Sequence, residues 1–358
     1  MKATQKLHDI GQSLWIDDIT RDMLDSGRLQ RYIDELSVTG LTSNPTIFEK
    51  AVAKSAWYDD AIRKLVKSGL TGEALFFELA LDDLKRAADL FLPVHKRTAS
   101  VDGWVSLEVS PLLAYDTKAT IAEAKRLYDR AGKPNLFIKI PGTKEGLPAI
   151  EESIFAGVSV NVTLLFSSND YLAAADAYMK GLERRIAAGL SPDVRSVASV
   201  FISRWDRAIT EKVSERLRDK LGIAVAKQAY RAYRELLDSD RWQRLENLGA
   251  RPQRLLFAST STKDPKLPDT MYITALAAPN TVNTMPDETL LAFADHGTVG
   301  SLVTADGGDS AKVLGEFGSA GIDIDALGRQ LQVDGAKAFV KSWQDLLKSI
   351  DGKSKALQ

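Results

Sequence analysis

Short apolar runs bounded by turn-forming residues recur along the chain, and helix-like stretches separate them. The runs are 13–17, 37–44, 104–109, 135–140, 158–163, 196–201, 254–259 and 271–276, each of strand length and rich in aliphatic or β-branched residues. Between them lie amphipathic stretches such as 120–131, 168–188 and 208–221, with apolar positions at three- and four-residue spacing. Strand then helix, eight times, predicts an α/β protein, a parallel (β/α)8 TIM barrel with additional helices. An open doubly wound sheet is the structural alternative. It usually opens on a glycine-rich first turn, and no G-x-G-x-x-G follows any of these runs.

The whole chain, 1–358, is therefore expected to form one barrel domain. Two connections are too long for a single helix: 46–103, with helical patterns at 55–67 and 71–90, and 205–253, with patterns at 208–221 and 224–237. Both read as helical insertions. Pro286-Asp287-Glu288 reads as a helix start, its acids suited to the positive end of the dipole. A C-terminal segment around 323–350 is helical in period, with room for a break near Asp334-Gly335, and is expected to pack across the barrel.

The run 135–140 carries one lysine. Strand alternation puts Lys139 on the side of Phe137 and Asn135, while Leu136, Ile138 and Ile140 face the other way. If helices cover the aliphatic face, Lys139 points inside the sheet or barrel. A buried ammonium without a partner tends to lose its proton and become a nucleophilic amine. The alternative is a strand-end lysine whose amine reaches solvent.

Composition narrows the chemistry. The 358 residues are 44% hydrophobic, and 47 basic against 48 acidic side chains leave a net charge of -1. No global field favours nucleic acid or an anionic membrane, so any bound anion must be held by local groups. With no cysteine, disulfides, thiolate zinc sites and a cysteine nucleophile are excluded, which fits a reducing compartment. His8, His95 and His296 have no metal-ligand spacing and read as surface or capping residues. No metal and no cofactor is expected. The N-terminal stretch lacks a signal pattern, and no apolar run approaches membrane-spanning length. A cytoplasmic location is the expectation.

Polar residues fall at the carboxyl ends of the runs, where barrels of this kind carry their reactive groups. They are Asp17, Asn44, Glu108, Lys139, Asn161 with Thr163, Ser199 and Ser259. Parity agrees: Ser159, Asn161 and Thr163 alternate with Val158, Val160 and Val162, as Ser106 and Glu108 do with Val105, Leu107 and Val109. Any one Asn or Ser reads as a turn former. Two carboxylates, a lysine and several hydroxyls and amides converging on one mouth suggest an amine-centred active site. A neutral lysine attacks a ketone to give a carbinolamine and then an iminium, an electron sink for a carbanion at the neighbouring carbon. The proton transfers need acid and base groups, tasks that Glu108 and Asp17 could divide. Asn44 and Asn161 could hold substrate hydroxyls.

The motifs resemble those of the transaldolases. They are Leu14-Trp15-Ile16-Asp17, Leu41-Thr42-Ser43-Asn44-Pro45-Thr46-Ile47-Phe48, Ser106-Leu107-Glu108-Val109, Leu136-Phe137-Ile138-Lys139-Ile140-Pro141, Asn161-Val162-Thr163-Leu164-Leu165-Phe166-Ser167 and Ser199-Val200-Phe201-Ile202-Ser203-Arg204. The resemblance implies Lys139 as Schiff-base lysine, Glu108 acting through a water, Asp17 as acid/base for the carbon-carbon bond, and Thr163 positioning the catalytic water. It implies Asn44, Asn161 and Ser199 as holders of a three-carbon unit, and Arg204 as a phosphate ligand. A second arginine expected after the seventh strand is absent. Ser261 stands in its place, leaving Lys263 or backbone amides to take over, with Ser259 nearby.

The implied reaction moves a dihydroxyacetone unit between sugar phosphates in the non-oxidative pentose phosphate pathway. Its donors are sedoheptulose 7-phosphate or fructose 6-phosphate. Its acceptors are glyceraldehyde 3-phosphate or erythrose 4-phosphate. Two other readings stay open: a fructose 6-phosphate aldolase, whose family pattern lacks the third-strand glutamate and has tyrosine where Phe201 stands, and a barrel that binds sugar phosphates without turnover. Sugar phosphates are the expected partners, with no nucleic acid or membrane, and the chain is expected to be a monomer or homodimer.

Overall fold

The structure is a computed structural model that describes residues 1–43, 45–262 and 264–357, and only the backbone of 45–47 and 54. Eight parallel strands close into a barrel in sequence order. They are β1 (Ser13–Ile16), β2 (Val38–Thr42), β3 (Trp104–Glu108), β4 (Leu136–Pro141), β5 (Val160–Leu165), β6 (Ser196–Phe201), β7 (Arg254–Ala258) and β8 (Val282–Met285).

Helices fill the connections. α1 (Ala3–Asp9) precedes β1, and α2 (Arg21–Asp25) and α3 (Arg28–Glu35) lead to β2. Next come α4 (Pro45–Lys54), α5 (Asp59–Lys67) and α6 (Gly72–Arg97) before β3, then α7 (Thr117–Ala131), α8 (Gly146–Phe155) and α9 (Ser168–Ala187) before β4, β5 and β6. α10 (Ser203–Ile209), α11 (Leu221–Leu237) and α12 (Asp240–Asn247) lead to β7, and α13 (Met271–Ala275) to β8. α14 (Asp287–His296), α15 (Ser310–Ser319) and α16 (Ile324–Ala356) follow.

Strand alternation sorts the core into two layers. Leu136, Ile138 and Ile140, like Val105, Leu107, Val160 and Val162, pack outward with the helices. Trp15, Trp104, Phe137, Val197, Leu256 and Val282 fill the barrel interior. Trp104 stacks on Phe137 with centroids 4.1 Å apart. Gly40 makes room for this layer, since a Cβ there would meet the Trp15 ring at 2.6 Å. Beneath it, Asp102 accepts hydrogen bonds from Ser13 Oγ at 2.6 Å and Trp15 Nε1 at 3.2 Å and pairs with Arg254 at 3.3 Å. The aromatic layer and these polar contacts fill the middle of the barrel, and a cleft opens at each end, about 620 Å³ at the amino end and about 460 Å³ at the carboxyl end.

Several expectations from the sequence need correction. Residues 271–276 are not the eighth strand: Met271–Ala275 is a helical turn, and β8 is Val282–Met285. That strand is four residues long and half polar, so it shows no apolar run. Asn283 accepts from Thr260 at 2.8 Å, and Val282 and Thr284 take the inward parity opposite Ser13 and Trp15. The pattern at 208–221 is not one helix either. α10 stops at Ile209, and the buried Asp206 carboxylate accepts from the Leu221 and Gly222 amides at 2.9 and 3.1 Å, starting α11 afresh.

α16 runs unbroken through Asp334-Gly335. A Cβ at Gly335 would lie 2.9 Å from Leu164 Cδ2 and 3.2 Å from Arg204 Nη1, so this glycine permits close approach to the barrel rather than ending the helix. The helical pattern at 55–67 starts late: Trp57 is exposed in a turn, and α5 begins at Asp59. His95, read as a surface or capping residue, is buried edge-on against Trp104, and its Nδ1 lies 3.0 Å from the Asp102 carbonyl oxygen.

Candidate active site

The register of β3 against β4 sets Glu108 beside Lys139, both inward and both almost fully buried. Lys139 Nζ lies 3.3 Å from Glu108 Oε2 and 3.4 Å from the Ser43 carbonyl oxygen. Burial raises the Glu108 carboxyl above its ordinary range, and the Lys139 charge opposes that rise. The result is a carboxylate more ready to accept a proton than an exposed glutamate, held against the amine.

The next strand continues the layer. Asn161 on β5 sits opposite Lys139. Its Nδ2 donates to Ser106 Oγ at 3.1 Å, and its Oδ1 accepts from Ser199 Oγ at 2.7 Å. These two bonds fix the amide orientation and tie β3, β5 and β6 together. Thr163 lies one inward position further along β5, and its buried hydroxyl has no protein partner among the described residues. The β5–β6 register shifts just there, and Leu164 has a left-handed backbone, φ 59°. Gln332 of α16 donates to the Leu164 and Gly142 carbonyls at 3.0 and 3.2 Å, bridging the ends of β4 and β5.

A cleft of about 460 Å³ opens at this end, lined in part by Asp17, Asp18, Lys139, Ser199, Arg204, Ser259 and Thr284. Arg204, at the start of α10, lies against the Phe201 and Phe339 rings, 4.9 and 5.7 Å from their centres. Among the described residues it has no carboxylate within ion-pair reach. Burial and then Arg207 pull its guanidinium down from the ordinary value. A desolvated, carboxylate-free guanidinium facing a cleft is suited to an anion. Ser259, in a left-handed conformation (φ 57°), shares a 2.9 Å hydrogen bond with Ser203, and Ser261 lines the same wall.

Across the mouth, Asp18 stands beside Asp17 and Asp287. Burial and those two carboxylates push its pKa up to about 8, against the pull of Arg28. Asp18 thus keeps its proton to a higher pH than an ordinary carboxyl.

Of the residues singled out from sequence, Lys139, Glu108, Asp17, Thr163, Asn161, Ser199, Arg204 and Ser259 gather at the carboxyl end of the barrel. Asn44 and Lys263 lie outside the described residues. Sequence reasoning missed Asp18, Lys50, Arg207, Thr284 and Phe339. Asp18 adjoins a recognised motif and could have been noticed. Thr284 sits in the strand that was misplaced, and nothing local marks Phe339. A larger cleft, about 620 Å³, lies at the other end of the barrel, but there Arg254 and Arg195 are engaged by protein acceptors.

The fold is a closed parallel barrel that carries at its carboxyl end a buried lysine-glutamate pair and, among the described residues, an arginine without a carboxylate partner. The sequence pattern of the transaldolase/fructose-6-phosphate aldolase family matches residues 14–350, and the chain belongs to that family. A transaldolase of Parafrankia sp. (strain EAN1pec) is 46% identical over 359 residues, covering 98% of this chain and 97% of that protein. The transaldolase of Thermobifida fusca (strain YX) is 46% identical over 352 residues, covering 96% of each chain. A transaldolase 2 of Nostoc sp. (strain PCC 7120) is 41% identical over 371 residues, covering 98% of this chain and 97% of that one.

Proposed function

We propose that this chain is a transaldolase that moves a dihydroxyacetone unit between sugar phosphates through a Schiff base on Lys139. The observation that carries the reading is the Lys139–Glu108 pair, buried at 3.3 Å, with Lys139 lining the same cleft as Arg204.

Glu108 takes a proton from the amine and returns it, by way of a water, to the departing hydroxyl as the ketose carbonyl becomes an iminium. Thr163, whose buried hydroxyl has no partner among the described residues, holds that water. Asp17 removes the proton of the hydroxyl whose carbon-carbon bond breaks, and returns it when the new bond forms. Asn161, Ser199 and Asn44 hold the three-carbon unit. Arg204 binds the phosphate, Ser259 and Lys263 are its further proposed ligands, and Arg207 adds a second positive charge to the cleft that Ser261 also lines.

The chain acts as one domain, in the cytoplasm, as a monomer or homodimer. No helix among the described residues is long and apolar enough to cross a membrane. Aldolase activity is the second reading. The presence of Glu108, and of Phe201 in place of a tyrosine, favours transfer over it.

Borohydride trapping with fructose 6-phosphate, followed by mass spectrometry, should give a reduced three-carbon adduct on the Lys139 peptide. A parallel assay should show transfer to erythrose 4-phosphate. Adduct with net release of dihydroxyacetone would move the reading to an aldolase. Folded protein that binds the sugar phosphate without any Lys139 adduct would overturn both.

A further inference from the structure

We propose that Phe339 decides the fate of the covalent intermediate, keeping it for transfer by closing solvent off from Lys139; the inference rests on the Schiff-base reading above. Phe339 is 8% exposed and comes from α16, far along the chain from any strand. Its ring centre lies 5.9 Å from Lys139 Nζ and 5.7 Å from Arg204 Cζ, and it meets Phe201 nearly edge-on at 6.3 Å. One side chain therefore lies next to both the reacting amine and the guanidinium proposed to hold phosphate.

Its position is fixed from both sides. One turn earlier Gly335 lets the helix press against Leu164 and Arg204, preceded by the Gln332 bonds to Leu164 and Gly142. One turn later Trp343 packs edge-on against Phe76 at 4.8 Å. Gly328, Leu331, Gly335, Phe339, Trp343, Leu346 and Ile350 form the buried stripe of α16, and Val333 lies off it, 39% exposed.

The intermediate left after the first aldehyde departs is an enamine on Lys139 Nζ, and it has two fates. In transfer, its nucleophilic carbon attacks the acceptor carbonyl, a carbon-carbon bond forms and the new alkoxide takes a proton. In hydrolysis, the same carbon takes a proton from water, hydroxide or water adds to the iminium carbon, and the carbon-nitrogen bond breaks. That second route consumes one water, frees dihydroxyacetone and restores the amine, with no change of oxidation state. The Phe339 ring sets hydrocarbon beside the amine, 5.9 Å from Lys139 Nζ, which lowers the access of water to the enamine carbon. After transfer the adduct is already an iminium and needs no protonation at carbon, so product release can use the water proposed at Glu108 and Thr163.

The test compares wild type with Phe339→Ala, Phe339→Leu and Val333→Ala. Dihydroxyacetone release is measured from fructose 6-phosphate alone, and sedoheptulose 7-phosphate formation with erythrose 4-phosphate added, each divided by borohydride-trapped adduct. The ratio of release to transfer should rise roughly tenfold in the alanine variant, rise less in the leucine variant and stay unchanged in Val333→Ala. If Phe339→Ala does not fold, Phe339→Leu decides by the same ratio. An unchanged ratio, or equal loss of both activities, overturns the role of Phe339 while leaving the transaldolase reading standing. Absence of any Lys139 adduct in wild type overturns both.

Discussion

Asp18→Asn should stabilise the protein increasingly as the pH rises. In the folded chain burial, Asp17 and Asp287 lift the Asp18 pKa from 3.8 to about 8. The unfolded chain releases this proton near pH 4, whereas the folded chain keeps it until about pH 8. Between those values the native state binds more protons, so wild-type stability falls as pH rises through the window and levels off above it. A shift of roughly four units at about 1.4 kcal/mol each sets an upper bound of about 6 kcal/mol. Asp18 borders an open cleft, where water and side-chain movement recover part of the penalty, so about 2 kcal/mol or more is expected.

Asparagine mimics the neutral acid and lacks the proton to lose. Urea unfolding of both proteins at pH 5, 6, 7, 8 and 9 gives the difference directly. It should be small at pH 5, grow to pH 8 and then stay flat. A difference that is constant with pH, or that grows toward acid, would refute the reasoning. Turnover should carry the same signature: wild type loses activity as Asp18 ionises beside Asp17, and the variant does not.

Two further substitutions separate the roles proposed for the cleft. Glu108→Gln keeps the shape beside Lys139 but removes the proton acceptor, so kcat should fall about 10²- to 10⁴-fold with a smaller change in KM, measured by coupled assay; a loss under threefold would exclude Glu108 from proton transfer. Arg204→Ala removes charge-assisted bonds of about 1.5–3 kcal/mol, so KM for fructose 6-phosphate should rise roughly ten- to a hundredfold while unphosphorylated fructose is little affected. Equal losses for the two sugars would show that Arg204 acts on the fold instead of on phosphate.

Strand parity was enough to place Lys139, Glu108, Asn161 and Thr163 inside the barrel, because a half-buried strand writes its two faces into alternate residues. Seven strands were legible for the same reason. β8 was not, since Val282-Asn283-Thr284-Met285 buries its polar side chains in partners that local sequence cannot supply, such as Thr260 for Asn283. Phe339 was out of reach for a different reason. Helical period shows that it faces inward, but only the docking of Gly335 and Gln332 onto the ends of β4 and β5 decides which part of the barrel it covers. Gly335 was misread because glycine in a helix signals a break as readily as a close contact. The contact partner, Leu164, is 171 residues away by the difference of the two numbers.

The net charge of -1 conceals the polarity that orients a substrate. Strand order in the closed barrel puts β8 next to β1, so Asp17 and Asp18 after β1 share a corner with Asp287 and Glu288 after β8. Arg204 and Arg207 follow β6, and Lys139 with Glu108 occupies β4 and β3. Amine, cation pair and acidic corner therefore lie in three separate sectors of one cleft. In the proposed mechanism, a phosphorylated ketose with its carbonyl at Lys139 meets Arg204 with its phosphate and leaves the acids free for its hydroxyl protons. Turned the other way, it would bring a dianion against carboxylates, a like-charge contact that costs several kcal/mol. Orientation thus follows from how cancelling charges are distributed around the barrel, and exchanging the sign of one sector, as in Arg204→Glu, should abolish productive binding even though the neighbouring Arg207 remains.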